Sequence, residues 1–181
     1  MRRFLDRLYG ASGALAAIFL VAICGVVLLQ VGANLVNTVS GFLTGEPVGI
    51  VVPSYAEFAG FFLAAASFLA LAYTLRCGGH IRVSLVISHL GAAPRRAVEL
   101  ICILIAAAVS AYFAWFMLDL VIESFRYEDV STGMVPVRLW IPQASLAVGL
   151  LVLVIALIDE FISVLYGARP SYEADGDHLG E

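Results

Sequence analysis

The chain has 181 residues, 62% of them hydrophobic and only 13% charged, with a mean hydropathy of +0.99. A water-soluble domain of this size carries about 25% charged residues to cover its large surface, so the composition excludes one and points to an integral membrane protein. The net charge is −4 and all ten basic residues are arginine, which excludes a nucleic-acid binder working through a basic patch.

Crossing the hydrocarbon as a helix takes about 20 mostly apolar residues. Four stretches qualify: about 11–36, 53–75, 97–122 and 141–165. Their Ala, Leu, Ile, Val and Phe content and their length predict helices. Barrel strands would be segments of roughly 10 residues with alternating polarity. Arg2 and Arg3 precede the first stretch as they would in an export signal. That stretch is closer to a full span than to the apolar region of about 7–15 residues that a signal carries, so it is read as an uncleaved first helix. The expected fold is all-α, an integral membrane four-helix bundle in a single transmembrane domain over 1–168. A flexible acidic tail follows over 169–181. Cys24, Cys77 and Cys102 are odd in number and at no metal or redox spacing, which argues against a disulfide framework.

Between the second and third spans, Ile81, Leu85, Val86 and Leu90 recur near helical spacing, with His80, Arg82 and His89 off that stripe. Residues 80–90 fit an amphipathic helix lying in the interface, arginines among phosphates. They fit a short extension of the second helix equally well. Gly91 ends the segment, and Pro94 with Arg95 and Arg96 opens the third span.

Arginine count by side sets the expected orientation. Eight (Arg2, Arg3, Arg7, Arg76, Arg82, Arg95, Arg96, Arg169) fall at the termini or between spans two and three, while only Arg126 and Arg138 fall in the other two loops. Arginine-rich loops stay in the cytoplasm, so both termini are expected there.

Polar groups inside spans are costly and therefore candidates for function. Gln30, Asn34, Glu57, Asp119 and Glu123 all collect toward the outer end, away from the midplane. Glu57 is the sharpest, as a proton or cation site. Its shallow depth favours instead an interfacial carboxylate bonded to a neighbouring helix, to Arg126 or to Arg138. Asp159 and Glu160 are placed to meet Arg76 or Arg82, Glu99 to pair with Arg95 one turn away, and Trp140 to join an aromatic belt. His80, His89 and His178 lie outside the spans, which argues against haem ligation. The sequence carries no phosphate loop, no Cys/His metal cluster and no paired nucleophile and base. No cofactor and no enzymatic activity are expected. Solute sites in carriers are usually built from broken helices at the midplane, often in repeated halves; these helices are mostly continuous and do not repeat. The chain reads as a scaffold.

This layout resembles the four-helix, Q-type small permease subunit of tripartite ATP-independent periplasmic (TRAP) transporters, over about Leu5 to Tyr166. Two motifs carry the likeness: Gly79-His80-Ile81-Arg82-Val83-Ser84-Leu85 after the second span, and Pro136-Val137-Arg138-Leu139-Trp140-Ile141-Pro142 opening the fourth. The resemblance implies a three-part, ion-coupled importer of carboxylates in the bacterial inner membrane. Its partners would be a large membrane subunit that moves substrate by an elevator motion, and a periplasmic solute-binding protein. The small subunit would scaffold the former and help dock the latter, with Arg126, Glu128, Asp129 and Arg138 as docking candidates and His80, Arg82, Trp140 and Pro142 as motif residues. Two rivals stand beside it: a self-sufficient dimeric, proton-coupled transporter using Glu57, and an anchoring subunit of another membrane complex.

Overall fold

A computed structural model describes residues 2–77 and 92–166. The candidate interfacial helix over 80–90, with His80 and Arg82, and the tail over 169–181 lie outside the described residues. Four helices follow in chain order: α1 (Arg2–Thr44), α2 (Tyr55–Arg76), α3 (Ala92–Arg126) and α4 (Trp140–Leu165). All four are long and apolar enough to cross a membrane. No strand forms among the described residues; a lone antiparallel bridge joins Val130 and Arg138. Lipid offers no partner for backbone N–H and C=O groups, and a continuous helix satisfies them within itself.

The bounds of α2 and α4 fall within two residues of those expected from hydropathy. α1 and α3 run longer, 43 and 35 residues, or roughly 64 and 52 Å at about 1.5 Å per residue. The excess is polar helix beyond the apolar stretch. At one end of α1 it includes Asp6 and Arg7, and at the other Asn37, Thr38, Ser40 and Thr44. Hydropathy marks where a helix leaves the hydrocarbon, and the helix itself continues until its backbone is capped. In α1 that happens at Gly45, whose N–H bonds to the Gly41 carbonyl at 3.1 Å with φ of 81°. α3 ends with Glu128 at φ 55° and the Asp129 N–H on the Ser124 carbonyl at 3.1 Å, the double-wrapped closure that usually takes glycine. Pro94 sits in the first turn of α3, where no helical hydrogen bond is lost.

Across the molecule the helices pack in the order α1–α2–α4–α3, with α1 also touching α4. The centre is the α2–α4 seam, formed by Ala65, Ala66, Leu69 and Ala72 of α2 and Ala147, Gly149, Leu150, Val152 and Ala156 of α4, all buried. Small residues let the two backbones close up, as helices must where lipid removes the hydrophobic drive between them. A Cβ at Gly149 would lie 2.6 Å from the Phe68 carbonyl carbon. Tyr9 of α1 joins Ala72, Val152 and Ala156 in one cluster, and Ile103 of α3 meets Leu157 and Val164 of α4 in another. The buried Ser12 hydroxyl donates to the Leu69 carbonyl at 2.6 Å, fastening α1 to α2.

Candidate functional site

Between the two ends of the bundle there is no Asp, Glu, Lys, Arg or His over residues 11–44, 58–75, 100–118 and 141–158. Acidic and basic side chains are therefore confined to a loop end, carrying residues 45–54 and 127–139, and a terminal end, carrying Arg2 and Leu165. Among the described residues no group of three His, Cys, Asp or Glu side chains converges as a metal site.

At the loop end the connections fold back onto the helices. The Asn37 amide grips the Ile50 backbone at both atoms, donating to its carbonyl at 2.7 Å and accepting its N–H at 2.9 Å. Ser40 and Thr44 hydroxyls donate to the Glu46 carbonyl at 3.0 and 3.1 Å. The second loop is held across its neck by the Ser131 N–H on the Val137 carbonyl and the Leu139 N–H on the Asp129 carbonyl, 2.8 and 2.9 Å. It is fastened to the start of α2 by the Val135 N–H, which donates to Ser54 Oγ at 3.0 Å.

This fastening brings the loop over Glu57. Gly133 rests on the carboxylate so closely that a Cβ there would overlap it, and Glu57 Oε2 is buried with no hydrogen-bond partner. Glu57 is thus not bonded to Arg126 or Arg138, as its position in the sequence had made plausible. Glu57 lines a shallow depression of about 470 Å³ with Ser54, Tyr55, Thr132 and Met134. The contact depends on a glycine in a distant loop, and the one trace of it in the sequence is the Thr132-Gly133 step between two polar turns.

The other candidates at this end are scattered. Arg138 reaches Glu128 at 4.0 Å on the exposed rim, an ion pair worth little by itself. Arg126 lines a second depression of about 320 Å³ with Asp119, Ile122, Glu123 and Tyr127. Trp140 opens α4 with its ring edge-on to Phe125, centroids 5.7 Å apart, and Pro142 sits in the first turn, its carbonyl accepting from Ser145 Oγ at 2.6 Å. Arg126 and Arg138 are not brought into one site with Trp140 and Pro142. His80 and Arg82 are outside the described residues.

The terminal end carries ion pairs that bind helices together. Arg76 of α2 reaches Asp6 of α1 at 2.8 Å and Asp159 of α4 at 3.5 Å, and its guanidinium lies 5.9 Å from the centre of the Tyr9 ring. One arginine thereby fastens three helices, and the expected partnership of Asp159 with Arg76 is formed. Arg95 and Glu99 pair at 3.2 Å as their spacing required. Arg96 donates through Nε to the Val164 carbonyl at 3.1 Å and through Nη2 to that of Leu165, capping the last turn of α4 with a cation.

The sequence family described as "Tripartite ATP-independent periplasmic transporters, DctQ component" matches residues 48–167, which take in α2, α3, the loop between α3 and α4, and α4. No curated protein matches the chain.

Proposed function

The chain belongs to the DctQ-component family of tripartite ATP-independent periplasmic transporters, and on that premise we propose that it is the non-catalytic scaffold of such a transporter. In this reading it lies in the bacterial inner membrane with both termini cytoplasmic. It holds the static part of a large elevator-type membrane subunit and helps receive the periplasmic solute-binding protein at its loop end, for ion-coupled uptake of a carboxylate.

The observation that carries the reading is the α2–α4 seam. It is closed by alanines and by Gly149 set against the Phe68 backbone, and no ionisable side chain stands along it. A carrier needs hydrated polar groups near the midplane, whereas the frame of an elevator needs rigidity while another body slides. The arginine bias supports the orientation. Arg126, Glu128, Asp129 and Arg138 all lie at the loop end, where rim charges steer encounter with a soluble partner more than they hold it.

Complementation tests this. Cells that keep the large subunit and the binding protein but lack this chain are expected to lose uptake of the carboxylate, and to regain it with the wild-type gene. Undiminished uptake without the chain would remove the scaffold role.

A further inference from the structure

We propose that residues 130–137, the tip of the α3–α4 loop, form a strap with two rest positions, and that Ser54 and Glu57 are its catch. With the strap seated, the two side chains hold the loop. With it lifted, the same two side chains close on each other and cap α2. The device belongs to the chain itself and does not rest on the transporter reading.

The start of α2 reads Ser54-Tyr55-Ala56-Glu57. A serine before a helix with a glutamate three residues on is the capping-box pattern, in which the hydroxyl accepts the N–H of the glutamate and the carboxylate accepts that of the serine. Here the box is open. Ser54 makes no side-chain cap to its own helix, and its backbone stands at φ 54° and ψ 20°, in the left-handed region. An N-cap residue ordinarily takes the extended region instead. A left-handed serine is strained and persists only where surrounding contacts hold it.

Those contacts come from the strap. The Val135 N–H donates to Ser54 Oγ at 3.0 Å, taking the acceptor that the helix would use. Gly133 lies between the two catch residues: a Cβ there would stand 2.8 Å from Ser54 Oγ and overlap the Glu57 carboxylate. Glu57 Oε2 is buried with no hydrogen-bond partner among the described residues, a cost that closure of the box removes. The seated state thus makes one hydrogen bond at Ser54 and forgoes the two of the box. Opposed local terms of this kind are what make an element two-state. The strap can lift as a unit, because its neck is closed separately. The Ser131 N–H bonds to the Val137 carbonyl at 2.8 Å and the Leu139 N–H to the Asp129 carbonyl at 2.9 Å, and neither bond involves α2.

Amide-resolved hydrogen exchange on the full chain in lipid nanodiscs tests the device. Gly133→Val adds bulk between the catch residues and lifts the strap while leaving Ser54 and Glu57 in place. The Val135 amide is expected to exchange about three- to tenfold faster than in the wild type, and the Glu57 amide about three- to tenfold slower, one hydrogen bond lost and one gained. Val135→Pro deletes the donated N–H without adding bulk at the catch, and is expected to slow the Glu57 amide likewise; it decides the matter if Gly133→Val fails to fold. Adding Ser54→Ala to either variant is expected to abolish the slowing, since the cap then has no acceptor. A Glu57 amide that exchanges no slower in the folded released variants, or whose slowing survives Ser54→Ala, would overturn the proposal. An unchanged Val135 amide in Gly133→Val would do the same.

Discussion

At Gly149 a single methyl group decides how close α2 and α4 can come. A Cβ there would meet the Phe68 backbone at 2.6 Å, and backbone cannot rotate out of the way. Gly149→Ala is expected to destabilise the fold by about 1–3 kcal/mol, the usual cost of overpacking, read as a lower melting temperature in detergent. Ser12→Ala is expected to cost less than about 1 kcal/mol although it deletes a buried interhelical hydrogen bond of 2.6 Å, because such bonds average only about 0.6 kcal/mol in membranes. At Arg76, replacement by leucine removes the cation from Asp159, whose side chain is only 19% exposed, and is expected to cost about 1–3 kcal/mol, between the surface and buried limits for an ion pair. Asp6 is half exposed, so Asp6→Asn should cost under about 1 kcal/mol. Equal effects of the last two would show that Arg76 does not bridge three helices. Glu57→Gln should leave uptake by the assembled transporter largely intact, since the carboxylate lies against Gly133 of its own chain at the loop end, away from the midplane. Loss of ion-coupled uptake with normal assembly would instead make Glu57 an ion site.

The helices themselves were legible from hydropathy, because a span is a length requirement and the sequence displays length directly. Where α1 and α3 exceed the expected bounds, the extra turns are polar, and a window tuned to hydrocarbon stops short of them. Pairs within reach of simple spacing, Arg95–Glu99 and Arg76–Asp159, could be anticipated from charge alone. Packing order could not. Every span is apolar around most of its circumference, so nothing in the residue pattern says that α2 and α4 take the centre and α1 and α3 the flanks. The covering of Glu57 was hidden for a related reason, since it depends on how Ser54 catches the Val135 N–H and sets Gly133 in place. The orientation of the elements yields a direct expectation. With the native cysteines replaced, a cysteine at Glu46 or Glu128 should react with a membrane-impermeant maleimide added to intact spheroplasts, and one at Asp6 should not. The reverse pattern would invert the assignment that the eight arginines support.

Among the described residues the molecule is four apolar helices fastened at both ends. The terminal end is tied by Arg76 and Arg96, the loop end by Asn37 and Ser54, and the seam in the middle holds no charge. Residues 11–44, 58–75, 100–118 and 141–158 carry no Asp, Glu, Lys, Arg or His, which fits the proposed scaffold better than a carrier. The most direct test is uptake of labelled carboxylate into proteoliposomes under an imposed ion gradient, made with this chain alone and with the chain joined by its large subunit and binding protein. The account predicts background uptake from the chain alone and gradient-driven accumulation from the full assembly; accumulation by the chain alone would contradict it.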